Sequence, residues 1–208
     1  MDNYVITVAR GFGSGGKTIA SRIAKHLGIS CYENRILTLA SQYSGIDEHD
    51  FQQVDEKLGG NFIIRELKKF PAARKYIPVD RDFASDDKLF QYQCQIIKKL
   101  AEEESCVIVG KCADYVLRDY PRRISIYIEA PREACIRRTI ENMDVDSEEA
   151  ERLLVKTDQY RTDYYRYYTG GLDWRSPVNY DLILNSERVG FDGCVEIIEA
   201  YVKKKFQI

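Results

Sequence analysis

Gly11-Phe12-Gly13-Ser14-Gly15-Gly16-Lys17-Thr18 is the stretch on which the reading of this chain turns. It satisfies G-x-x-x-x-G-K-[ST], the pattern of a P-loop. In such a loop consecutive backbone N–H groups turn inward around polyphosphate oxygens, and small residues leave room for them to do so. Lys17 then reaches the β- and γ-phosphates, and the Thr18 hydroxyl ligates Mg²⁺. The pattern also occurs by chance, so its context is the test. Before it, Tyr4-Val5-Ile6-Thr7-Val8-Ala9 reads as a strand; after it, Thr18 to Leu27 carries Ile19, Ile23, Ala24 and Leu27 at helical spacing. The strand, loop, helix order of a nucleotide site is met. The alternative is a glycine-rich turn with a solvated lysine.

At 208 residues the chain is long enough for one well-buried core and short for two ordinary domains without a linker. No Gly/Ser tract, repeat period or block of like charge marks a linker, so a single domain over 1–208, with insertions, is expected. The formal net charge of −2 gives no global pull toward nucleic acid, whose binders carry a concentrated basic face. An anionic ligand has to be met locally. Cys31, Cys94, Cys106, Cys112, Cys135 and Cys194 form no C-x-x-C pair, and several lie in apolar runs. Buried thiols in a reducing compartment fit them better than disulfides or structural zinc. No apolar run approaches the roughly 18 residues that span a bilayer. Met1-Asp2-Asn3 leads straight into the first strand with no signal-peptide pattern. A soluble, cytoplasmic protein without a membrane partner is the expectation, its oligomeric state open.

Gly28 closes the first helix, and Gly28 to Tyr32 reads as a short second strand with Glu33 at its carboxyl end, the edge where open α/β sheets meet ligands. Glu33 either holds a substrate or the magnesium water shell, or is an acid favoured by the dipole of a helix beginning before Ile36-Leu37. From Ser41 to Glu104 the pattern turns helical and charged. Ile63, Ile64, Leu67 and Phe70 recur at helical spacing, as do Phe90, Cys94, Ile97 and Leu100, with breaks at Phe70-Pro71 and Ile77-Pro78 and a loop from Asp80 to Asp87. The basic residues between Arg65 and Lys88 are either a solvated face or a flap that carries an arginine for a phosphate. Gln91, Gln93 and Gln95 either read a base edge or are simply exposed.

Cys106 to Gly110 is a continuous apolar run, as a strand covered on both faces requires, and its exit carries Lys111 and Asp114. Arg122 to Ile128 supplies the next strand, followed at Pro131 by a helix from Arg132 to Asn142. That helix sets Cys135, Ile136, Thr139, Ile140 and Met143 on one side, with Arg137 and Arg138 off the stripe and Arg132 in its first turn. A second helix starts near Asp146 and runs through Tyr164. Arg161 lies inside its apolar stripe and Asp158 at the edge, so the arginine requires an anion, either a ligand or Asp158 itself. Tyr160, Tyr164 and Tyr168 form either a packed stripe or a surface on which bases stack. Tyr180 to Asn185 is a fifth strand, and Gly193 to Phe206 is an amphipathic helix that closes the sheet.

The plan expected is therefore an α/β P-loop NTPase fold: a five-stranded parallel sheet with helices on both faces, a helical insertion at about 41–104 and a helical lid at about 132–175. It resembles nucleoside monophosphate kinases. Phe12-Gly13-Ser14-Gly15-Gly16, Cys106 to Tyr115, Asp158-x-x-Arg161 running into Tyr164-Tyr165, Tyr168-Thr169-Gly170 and Asn179-Tyr180-Asp181-Leu182 narrow the resemblance to the cytidylate kinase-like family of bacterial P-loop proteins, over nearly the whole chain.

That resemblance implies ATP at Gly11 to Thr18, with Mg²⁺ at Thr18, and a nucleoside monophosphate, CMP or dCMP first, as acceptor. Lys111 and Asp114 would face the acceptor, Asp158 and Arg161 match the substrate-contacting D-x-x-R, and Arg138 matches a lid arginine at the transferring phosphoryl. Four positions depart from the expected pattern: Lys17 where the family often has arginine, Glu33 for aspartate, Lys111 for arginine, and Cys135 for the first lid arginine. The first three keep their charge. Cys135 does not, and an arginine on a transferring phosphoryl is worth about 10³ or more in rate. Full activity then requires Arg132 or Arg137 to substitute. The rival reading is a regulator that binds the nucleotide without efficient turnover.

Overall fold

The computed structural model describes residues 3–33, 36, 39 and 87–208. The amphipathic segment from Ile63 to Phe70, both proline breaks, the charged run from Arg65 to Arg81 and the loop expected up to Asp87 lie outside the described residues, except that Asp87 itself begins a helix.

Strands β1 (Val5–Arg10), β2 (Ser30–Tyr32), β3 (Cys106–Val109), β4 (Arg123–Glu129) and β5 (Leu182–Asn185) form one parallel sheet in the order β2-β3-β1-β4-β5. Helices α1 (Gly16–Leu27), α2 (Asp87–Glu103), α3 (Ala113–Val116), α4 (Arg132–Met143), α5 (Ser147–Tyr168) and α6 (Phe191–Phe206) cover it. A side-chain period of two separates the faces. Ile6, Val8, Val107, Val109, Ile124, Ile126 and Ile128 pack with residues of α1 and α6. Val5, Ala9, Cys106, Ile108 and Tyr127 pack with residues of α2, α3 and α5. Both faces being covered, the strands read as nearly unbroken apolar runs. Cys106, Cys112, Cys135 and Cys194 are buried free thiols, whereas Cys31 and Cys94 are only partly buried. No helix among the described residues is long and apolar enough to cross a membrane.

The chain leaves β1 into α1 on one face, whereas it leaves the adjacent β3 into α3 on the other. The order of connection therefore reverses between β1 and β3, and a crevice opens there at the carboxyl edge. The helical hairpin rises from the same edge. Asp146 caps α5 by accepting the Glu149 N–H at 2.8 Å, which fixes the start that the acidic run suggested. Tyr164 and Tyr168 on α5 pack with Phe90 of α2, the Phe90 and Tyr168 rings stacked at 3.8 Å. The tyrosine stripe is thus packed within the protein.

The fifth strand begins two residues later than its apolar pattern suggests, at Leu182. Tyr180 follows a 3₁₀ turn at Pro177–Asn179, and its hydroxyl donates to the Trp174 carbonyl at 2.6 Å. Asp181 then imitates a strand pairing: its N–H donates to the Ser125 carbonyl and its carboxylate accepts the Ser125 N–H, both at 2.7 Å. The same carboxylate accepts from Lys205 Nζ at 2.9 Å and the Tyr201 hydroxyl at 3.2 Å, so β4, β5 and α6 meet at one group.

Burial pushes the Asp181 carboxyl upward, but the Ser125 N–H and Lys205 outweigh it and hold the group below its ordinary value of 3.8. A folded value below the unfolded one means that the unfolded chain takes the proton first. The Asp181 contribution is complete above the unfolded value and is lost as pH falls through the folded one. Asp181→Asn is expected to lower stability by about 1–3 kcal/mol at neutral pH. In urea unfolding at a series of pH values, the gap between variant and parent should close as pH drops below about 4.

Candidate active site

Gly15, in a left-handed conformation with φ of 79°, precedes α1; no side chain caps that helix and its first turn holds no acid. Its first N–H groups and the positive end of its dipole are consequently available to an anion. Lys17 and Thr18 are exposed in that first turn. The loop is held from its other side. Gly13 has φ of 72°, and a Cβ there would stand 2.6 Å from the Cys135 carbonyl oxygen, so α4 backs the loop directly. The Phe12 N–H donates to Asp158 Oδ1 at 2.9 Å, and the Ser14 carbonyl accepts from Ser186 Oγ at 2.5 Å and from Arg138 Nη1 at 3.3 Å. Gly11 and Gly16 complete the segment as buried residues.

Glu33 lies just past β2, at the sheet edge where the sequence suggested it. Its Oε2 is 2.6 Å from Lys17 Nζ and its Oε1 3.7 Å from Arg10 Nη2. Arg10 is inconspicuous in the sequence, where it ends an apolar strand; its one signal is its place directly before Gly11.

Asp158 is buried. Besides the Phe12 N–H it accepts from Arg161 Nη1 at 3.3 Å and from Arg175 Nη2 at 3.1 Å. Arg161 also donates to the Arg10 carbonyl at 3.0 Å, so this arginine and aspartate form the internal pair allowed by their helical spacing. Arg175, beyond the end of α5, carried no sequence signal as their third partner.

On the far side of the crevice, Lys111 and Cys112 continue the left-handed turn of Gly110 with φ of 59° and 53°. Two successive non-glycine residues in that region store strain of the kind that persists at functional sites. Asp114 is buried, and its Oδ2 accepts from the Tyr165 hydroxyl at 2.7 Å. Burial raises the Asp114 carboxyl above its usual range, and burial together with this carboxylate raises the Tyr165 hydroxyl. In this arrangement Asp114 joins α3 to α5, while Lys111 stands at the mouth of the turn.

The arginines of α4 engage carboxylates. Arg132 pairs with Glu151 at 2.6 Å, Arg137 with Glu187 at 2.6 Å, and Arg138 with Glu187 at 2.5 Å. Arg138 therefore grips the outer side of the P-loop through Ser14. Cys135 is buried with Ala130, Ala134, Leu154, Phe12 and Ile136, and its Sγ is 3.6 Å from the Ala130 carbonyl. Burial raises its thiol to about 11, helped by the nearby Glu129 carboxylate, so it is a neutral packing residue. Among the described residues no cluster of three or more His, Cys, Asp or Glu forms a ready-made metal cage.

Sheet order, loop and hairpin define the class as a P-loop kinase fold. The crystal structure of a shikimate kinase from Bacteroides thetaiotaomicron shares that fold, with a TM-score of 0.52 over 96% of this chain and 98% of its own at 11% identity. An uncharacterized protein from Eubacterium ventriosum is more similar, with a TM-score of 0.72 and 25% identity over 97% of this chain and 99% of that one. A cytidylate kinase from Pyrococcus horikoshii is 26% identical over 202 residues, covering 97% of this chain and 89% of its own. The profile of the cytidylate kinase-like family matches residues 5–188, and the chain belongs to that family.

The surroundings of Cys135 yield a prediction about the position at which the family resemblance implied a lid arginine. The Cys135 side chain lies in apolar packing, so Cys135→Arg should not supply a cation to a bound phosphate. The variant is expected to lose at least about 2 kcal/mol in urea unfolding, from overpacking and an unpaired buried charge. It should show no gain in the rate of any phosphoryl transfer measured by ADP release.

Proposed function

We propose that the protein transfers the γ-phosphoryl of MgATP to a nucleoside monophosphate, with CMP or dCMP as the preferred acceptor. The observation that carries this reading is the uncapped start of α1, with exposed Lys17 and Thr18, opening onto the crevice between β1 and β3. Membership of the cytidylate kinase-like family supports the class of reaction, and the relatives named cytidylate kinase support the choice of acceptor.

In this reading the N–H groups of Gly13 to Thr18 bind the donor phosphates, and Lys17 leaves Glu33 to meet the terminal ones. The hydroxyl of Thr18 suits Mg²⁺, which when bound with the nucleotide neutralises phosphate charge. Phosphoryl transfer asks mainly for positioning and for stabilisation of charge, and it requires no covalent nucleophile. Lys111 and the turn around it form the acceptor wall. Asp114, Asp158 and Arg161 act by fixing that wall and the loop to α5. The segment at 41–104 serves as the acceptor flap and 132–175 as the lid that excludes water. Arg132, Arg137 and Arg138 reach the phosphates only by exchanging their carboxylate partners for them.

The test is ADP release with MgATP and each common ribo- and deoxyribonucleoside monophosphate. Acceptor-dependent ADP, greatest with CMP or dCMP, is expected; Lys17→Ala should reduce it by roughly 10²-fold or more, about 3 kcal/mol of transition-state stabilisation. Tight MgATP binding with no acceptor-dependent ADP at any monophosphate would instead make the protein a nucleotide-binding regulator.

A further inference from the structure

The P-loop pattern leaves one cation of the crevice without a task. Arg10 is the last residue of β1, and Arg161 Nη1 fixes its backbone carbonyl at 3.0 Å. Its side chain starts against α1, where a Cβ on Gly16 would lie 2.5 Å from the Arg10 Cβ, and then turns across the end of β3. There the guanidinium occupies the space that a side chain on Gly110, at φ of 74°, would need. The Nη2 atom ends 3.7 Å from Glu33 Oε1, past β2. Arg10 thus spans the mouth of the β1/β3 crevice, with its side chain only 20% exposed.

Charge indicates what it spans the crevice for. Glu33 faces two cations, Lys17 at 2.6 Å and Arg10 at 3.7 Å. A donor nucleotide on the P-loop takes Lys17 by the logic of the motif. Arg10 leans the other way, from the residue next to Gly11 toward the Gly110-Lys111 turn, where a second phosphate has to lie if transfer is to run in line. A guanidinium is a planar fork that matches phosphate oxygens two at a time.

We infer that Arg10 binds the phosphate of the acceptor nucleotide, and that Glu33 holds its place, and that of Lys17, until the two nucleotides arrive. Arg10 thereby puts on β1 an acceptor-side cation whose side chain does not come from the hairpin, where position 135 carries none. The inference rests on the kinase reading above but is tested separately from it.

The experiment compares the parent with Arg10→Gln and Arg10→Lys. Calorimetry measures MgADP, then CMP and cytidine on the MgADP-loaded protein, and ADP release is followed in parallel. For Arg10→Gln we expect CMP affinity to fall about 10–100-fold, the range for a charged hydrogen bond. Cytidine and MgADP affinities should stay within about threefold. Arg10→Lys should recover part of the loss. Unchanged CMP affinity in Arg10→Gln, or equal losses for CMP, cytidine and MgADP, overturns the inference. So does a parent protein that binds CMP no better than cytidine. Phosphate-dependent binding lost in Arg10→Gln but without turnover in the parent leaves Arg10 assigned and refutes the kinase reading instead.

Discussion

A loop whose inner N–H groups are kept for a ligand has to be held in shape from its outer side, and much of this molecule answers to that constraint. The outward groups of the segment from Gly11 to Thr18 are met by other elements: the Phe12 N–H by Asp158 of α5, the Ser14 carbonyl by Arg138 of α4 and by Ser186 after β5. Gly13 rests on the backbone of α4 at Cys135. These supports come from residues more than a hundred positions away in the chain. These contacts fix the outer side of the loop, which lowers the ordering cost of binding.

The same constraint explains why the hairpin residues appear as they do. Cys135 suits the packed side of the helix that backs the P-loop, among Ala130, Ala134, Leu154, Phe12 and Ile136. Charge in the region is arranged around it in carboxylate-paired form: Arg132 on Glu151, Arg137 and Arg138 on Glu187, Arg161 and Arg175 on Asp158. Paired cations of this sort keep the protein's net charge near balance while leaving several guanidinium groups close to an anion-binding edge.

What was legible in the sequence follows from how local each signal is. The P-loop, the parallel strands and the helix starts at Pro131 and Asp146 are written in contiguous residues, since burial on two faces and end capping act over short stretches. Glu33 was legible as a carboxylate at a strand end. The contacts of Asp114 with Tyr165, and of Asp158 with Phe12 and Arg175, were not, because each depends on which element the fold lays opposite. Asp181 misled the strand boundary for a related reason, its side chain replacing a backbone pairing that periodicity takes for granted. Arg10 stayed hidden because a cation at the end of an apolar run has no pattern of its own, and its direction is visible only from the space left at Gly110.

The buried Asp158 carboxylate has a final consequence. It divides its acceptor capacity among a loop N–H, an arginine of its own helix and an arginine beyond that helix's end. Removing that one carboxylate would release the Phe12 N–H and two guanidinium contacts together, so the P-loop, α5 and the segment after α5 are tied through a single side chain.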